Sequence, residues 1–80
     1  MRVIEFKMER PGLLKTGDEV KVEESQLQTL QGIVYYYTIS PALAMSNNIP
    51  ARKRLKSLEG RVTDIKTTES ASFVYVEFSE

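Results

Sequence analysis

The stretch that most restricts the fold of this chain is Ile33-Val34-Tyr35-Tyr36-Tyr37-Thr38-Ile39. It contains no charge and no proline, and its β-branched and aromatic side chains fit a pleated sheet better than a helix. Strand alternation separates Tyr35 and Tyr37 from Val34 and Tyr36, on opposite faces. Neither face carries a charge, so we expect both to be covered. We expect Tyr35 and Tyr37 to fill a core, while the face of Val34 and Tyr36 needs a second cover from this chain or from another.

Four more segments have strand character: residues 3–9, 19–24, 60–67 and 72–79. In residues 3–9, apolar side chains alternate with charged ones, which is typical of a strand with one wet face. Together the five segments predict an all-β fold, a small SH3-like barrel of about five strands. The expected core is shared among them and consists of Val20, Val22, Ile33, Tyr35, Val62, Val74, Val76 and Phe78.

A longer insert is expected at about residues 40–57, with room for a short helical turn. Ser40 followed by Pro41 predicts the start of a helix, because serine is a good N-cap and proline suits the first helical position. Residues 51–56 are expected to form a second short turn or an extended crossover. The polar residues 25–31 predict a loop or a single helical turn.

Length and composition limit what the chain can do. Eighty residues make one domain, residues 1–80. The chain has no histidine and no cysteine, which removes the commonest general base, thiol nucleophiles and Cys/His zinc sites. Glu23 and Glu24 are the best remaining carboxylate pair, but strand neighbours point to opposite faces. We therefore expect no enzyme activity, no cofactor and no metal site.

Charge and hydropathy suggest where such a chain works. Eleven basic and eleven acidic side chains give a formal net charge of zero, which argues against a general polyanion binder. No apolar run approaches the roughly 18 residues of a membrane span. Acids and bases interrupt the first apolar stretch, unlike in a signal peptide. We expect a cytoplasmic protein without a membrane partner.

One charge cluster stands out between residues 52 and 61. It comprises the basic residues Arg52, Lys53, Arg54, Lys56 and Arg61. Such a cluster is either a solvated loop or a positive patch for an acidic protein or for phosphates. Among the aromatic residues, Tyr36 and Tyr75 are the better exposed candidates for a binding site, because Tyr35 and Tyr37 share a face with Ile33 and Ile39. The candidate partner-binding set consists of the five basic residues and Tyr36.

Three short motifs carry a resemblance to a known family. They are Gly17-Asp18-Glu19-Val20-Lys21-Val22, Leu55-Lys56-Ser57-Leu58-Glu59-Gly60-Arg61-Val62 and Val74-Tyr75-Val76-Glu77-Phe78. The pattern resembles the SH3-like barrels of electron-transport accessory proteins, and most of all the variable chain of ferredoxin–thioredoxin reductase. The resemblance covers residues 17–78, and the strand at residues 1–9 lies outside it. It implies a non-catalytic chain that packs on a partner protein.

Two other functions stay open. The same Gly-Asp-x-Val and Gly-x-Val signatures are similar to KOW-type barrels, which implies a nucleic-acid or ribosome-associated domain. The long region of residues 25–57 departs from the short loop of that type. Self-association as a small structural homo-oligomer is the third alternative.

Overall fold

In a computed structural model that describes residues 1–80, the chain forms seven strands and one 3₁₀ helix. The helix spans Ala51–Lys53. In chain order the strands are β1 (Arg2–Met8), β2 (Glu19–Thr29), β3 (Gly32–Ile39), β4 (Ala44–Ser46), β5 (Ile49–Pro50), β6 (Glu59–Thr67) and β7 (Ser72–Phe78).

Six of these strands close a small barrel. The ring order is β2-β6-β7-β1-β4-β3, and β3 pairs back with β2; every pairing is antiparallel. β5 adds to the edge of β3 as an extra strand. The all-β prediction is therefore confirmed, and the architecture is consistent with a small SH3-like barrel. Six strands close the ring, rather than about five, because the predicted insert itself contributes β4.

β1 is a full member of the barrel. It lies between β7 and β4, with Ile4 opposite Val76 and Phe6 opposite both Val74 and Ser46. The alternation of apolar and charged residues gives β1 one apolar face, which can join the core. Ile4, Phe6 and Met8 are buried, and the residues between them are exposed. The barrel thus extends beyond the range of residues 17–78 covered by the resemblance.

Fifteen apolar residues form the core. Seven of the eight predicted core residues belong to it, and the exception is Ile33, which is 38% exposed. The alternation of β3 was predicted correctly, as Tyr35, Tyr37 and Ile39 are buried. Ile33 lies opposite Gln28 near the tip of the β2–β3 hairpin, beyond the point where the barrel closes. The prediction for Ile33 was wrong because alternation gives the face of a strand but not the length of the barrel.

Two local predictions were also wrong. Residues 25–29 continue β2, and a two-residue turn at Leu30 and Gln31 leads into β3. Residues 40–43 form a turn and residues 44–46 form β4, where a helix start was expected. Pairing with β1 and β3 overrides the local helix signal there, because it buries Ala44 and Ser46. The short helical turn predicted within the insert is confirmed at Ala51–Lys53.

Candidate functional site

The outward face of β3 lies at the centre of an apolar surface. Val34 and Tyr36 are half-buried, whereas Tyr35 and Tyr37 between them point into the barrel. Antiparallel register places partners of the same face opposite each other. The surface, called the outer strip below, comprises Leu27 and Pro50 on either side of Val34, Tyr36 itself, and Met45 opposite Thr38.

The outer strip is exposed to solvent on the two strands that flank β3, which are β2 and β4. Leu27 is 44% exposed and Met45 is 47% exposed, and Leu30 at the nearby hairpin tip is fully exposed. Neither the N-terminal strand nor the turn at Leu43–Met45 covers the outer strip. The apolar face of β1 lies inside the barrel, and Met45 is part of the exposed surface. Exposed apolar side chains grouped on one face of a small chain are a feature of protein-interaction sites.

The basic residues singled out in the sequence do not act as one patch. Arg52 and Lys53 lie exposed on the 3₁₀ helix, and Lys56 follows, also exposed; none of them forms a salt bridge. Arg54 instead binds Glu24, with its Nε 2.9 Å from Oε2 and its Nη2 2.7 Å from Oε1. Arg61 reaches Glu19 at 3.4 Å, between two highly exposed side chains, an arrangement that contributes little stability.

A polar cluster beneath β2 and β3 explains why Arg54 is held. The buried Tyr37 hydroxyl donates to Glu24 Oε2 at 2.8 Å and accepts from the backbone N–H of Leu55 at 2.8 Å. The Arg54 guanidinium stacks on the ring of Tyr35, 4.6 Å from its centroid. These contacts fix the segment after the 3₁₀ helix across the end of the barrel. We assign this cluster a structural role.

The same contacts change proton affinities. The guanidinium of Arg54 holds the pKa of Glu24 below its ordinary value. Burial, followed by the hydrogen bond to Glu24, raises the pKa of Tyr37 to about 12. In the sequence, Glu24 stands out only as half of a carboxylate pair with Glu23. Glu24 lies two residues after the inward-facing Val22 and four after Val20, so strand alternation places it on the same inward face. Glu23 lies on the opposite face and is exposed.

The tyrosine pKa predicts a loss of stability in alkali. An unfolded tyrosine ionises near pH 10, whereas folded Tyr37 keeps its proton to about pH 12. The stabilisation from neutral Tyr37 is therefore complete below pH 10 and is lost as the pH rises towards 12. We expect this group to lower the free energy of unfolding by about 1 kcal/mol per pH unit over that window. Urea unfolding at pH 9, 10 and 11 measures the slope.

Tyr37→Phe is the control for that slope, because it removes the ionising group and keeps the ring. The variant should start less stable at pH 9, since the Leu55 N–H loses its acceptor. It should then fall less steeply with pH than the parent protein. Equal slopes for the two proteins would contradict the proton linkage.

The remaining surface includes an open groove of about 650 Å³ where β2 and β6 begin, and its charged lining mixes signs: Glu19, Lys21, Glu59, Arg61 and Glu77. No three carboxylates come together as metal ligands. The structure contains no helix with the length and apolar character that crossing a membrane requires.

Comparison with models of protein families, with curated proteins and with solved structures finds no match to this chain.

Proposed function

We propose that this chain is a cytoplasmic, non-enzymatic accessory module that packs on a partner protein through the outer strip. The observation that supports the proposal is that Leu27, Tyr36 and Met45 face the same side of the sheet, where Leu27 and Met45 are exposed and Tyr36 is half-buried. The resemblance to electron-transport accessory proteins points the same way, since such chains act by covering a partner.

The strip has the composition of an interface. A tyrosine lies at its centre, and buried aromatic side chains near the centre of an interface contribute most of the binding energy. Polar residues flank it: Ser25 is opposite Tyr36, Glu23 is opposite Thr38, and Lys7 is opposite Met45. An apolar centre with a polar rim suits a partner that offers its own apolar surface edged by mixed charges.

Tyr36→Lys tests the proposal. Since Tyr36 points outward and is only half-buried, the variant should fold and lose the partner, because the lysine charge would be desolvated in the interface. The measurement is affinity capture from a lysate with mass spectrometry, after urea unfolding has shown that the variant is folded. Should Tyr36→Lys not fold, Met45→Lys at a more exposed position of the strip replaces it.

The matched control is Tyr75→Lys, an outward-facing tyrosine on β7 whose hydroxyl binds Glu5, so a lysine there keeps an acidic neighbour. A partner retained by the parent and by Tyr75→Lys but lost by Tyr36→Lys supports the outer strip. Identical captured proteins for all three chains would show that the strip is not the binding surface.

A nucleic-acid function is the alternative, supported by the three exposed cations Arg52, Lys53 and Lys56. It is tested in the same set of experiments with fluorescence anisotropy of mixed oligonucleotides at low salt. Binding through these cations would fall steeply with salt and would be lost in the double variant Arg52→Glu with Lys53→Glu. Arg54 is left intact there, because its reversal would also break the contact with Glu24. Absence of binding by the parent protein removes this alternative.

A further inference from the structure

β2 has one side without a strand partner along most of its length. β3 pairs with it from Val22 to Thr29, but β6 pairs with it only from Glu19 to Lys21. One further bond, from the Val22 N–H to the Leu58 carbonyl oxygen, ends that contact. The side of residues 23–29 that faces away from β3 is called the open edge below. The Val22 N–H points away from β3, and in an antiparallel strand every second residue directs its N–H and C=O to the same side. The backbone N–H and C=O groups of Glu24, Gln26 and Gln28 therefore lie along the open edge.

The outer part of the open edge lacks the features that usually prevent strand addition. Charged side chains, proline and bulges are the common protections of an edge. The charges of residues 23–29 are confined to Glu23 and Glu24 at one end; residues 25–29 contain no charge and no proline, and the β2–β3 register runs without a bulge. The unpaired side of β6 beyond Val62 is different, since it carries Asp64 and Lys66 and an irregularity at Val62/Asp64. The unpaired side of β6 is thus protected by charges of both signs and an irregularity, whereas the open edge has no such protection beyond Glu24.

We propose that a second copy of this chain binds the open edge by antiparallel strand pairing, with the two-fold axis at Gln26. In this register Gln26 lies opposite Gln26 of the other copy, and Glu24 lies opposite Gln28. Each of these pairs exchanges two backbone hydrogen bonds. The register satisfies the outward backbone groups of all three residues, which a displaced register does not.

Charge favours the same arrangement. The acidic residues of the edge meet neutral ones, because Glu24 faces Gln28 and Glu23 faces Thr29. A register centred on Glu24 would place two carboxylates directly opposite each other, which is destabilising. The formal net charge of the chain is zero, so two copies approach without long-range repulsion. Leu27 faces Ser25 across the axis, and the two Leu27 side chains become diagonal neighbours on the outer face.

An introduced cysteine tests the register. The chain has no cysteine of its own, so Gln26→Cys carries a single thiol. Two hydrogen-bonded residues across antiparallel strands have Cα atoms about 5.5 Å apart, within the range of a disulfide. Under a mild thiol oxidant such as diamide, we expect Gln26→Cys to form a covalent dimer, seen by non-reducing electrophoresis and intact mass.

Gln28→Cys is the matched control, because residue 28 lies opposite residue 24 and the two thiols are then too far apart. It should stay monomeric under the same oxidant. Cross-linking of both variants to the same extent would reflect random collision and would overturn the register, as would failure of Gln26→Cys to cross-link.

Sedimentation tests the assembly without cysteine. The parent chain is expected to dimerise, and Gln26→Pro should weaken the dimer at least about tenfold, since it removes an N–H at the axis in both copies. That N–H faces away from β3, so the fold tolerates the proline. Gln26→Lys and Gln26→Glu should each dimerise more weakly than the parent, and their mixture should form a heterodimer. A parent chain that stays monomeric at millimolar concentration would overturn the proposal. Met45→Lys, far from the axis, should leave the dimer intact, so this result is separate from that of the outer strip.

Discussion

Phe6→Ala is expected to lose most of the folding stability of this protein. Phe6 is fully buried, and its ring lies 6.4 Å from that of Phe78 between the walls formed by β7 and β4. Truncation of a buried phenylalanine costs about 3–5 kcal/mol through lost burial and the cavity left behind. Total stabilities of small domains begin near 5 kcal/mol, so the variant should be close to unfolded. Urea unfolding followed by circular dichroism measures the loss.

Val3→Ala on the same strand is the control, because Val3 is 53% exposed and points outward. It should change the free energy of unfolding by about 0.5 kcal/mol or less. A similar, small loss in both variants would mean that β1 is not an integral strand of the barrel.

Gly60→Ala is the second change with a large expected effect. A Cβ at this position would lie 2.6 Å from Val76 Cγ1, 2.8 Å from the Glu77 backbone oxygen and 3.0 Å from Phe78. The carbonyl oxygen belongs to the neighbouring strand and cannot turn aside as a flexible side chain would. Overpacking of this kind costs about 1–3 kcal/mol. Thermal unfolding should show a lower melting temperature for Gly60→Ala, while Thr63→Ala, an exposed position on β6, should stay near the parent. An unchanged melting temperature for Gly60→Ala would show that β6 and β7 are farther apart than described.

The role of Gly60 was predictable from the sequence only in part. Its place at the start of a strand was recognised, but its reason is the close approach of β7, which local sequence does not record. Period-two alternation found β1, the first half of β2, β3 and β7, because each has one face in the core. β6 was found from its β-type residues and its leading glycine, since an irregularity between Val62 and Asp64 breaks its alternation. Alternation missed the outer half of β2, since both faces of the protruding hairpin meet solvent and no apolar period remains.

The candidate site was also predicted only in part, because strand alternation gives the face of a residue but not its neighbours on other strands. Tyr36 was placed outward by alternation alone, and the structure agrees. The outer strip as a whole could not be predicted, because Leu27, Met45 and Pro50 lie on three other strands. The register places them opposite Val34 and Thr38, on either side of Tyr36 along β3. The pairing of Arg54 with Glu24 joins residues 30 apart in sequence, so no spacing rule indicates it.

The sheet joins its first strand to its last, with Arg2 opposite Phe78 and Lys7 opposite Phe73. Such pairing brings together residues at opposite ends of the chain, and barrels dominated by long-range contacts fold in milliseconds to seconds rather than microseconds. During synthesis, β1 therefore has no β7 to pair with until residues 72–78 have left the ribosome. The other side of β1 can pair earlier, because β4 precedes β7 in the chain. Closure of the ring thus waits for β7.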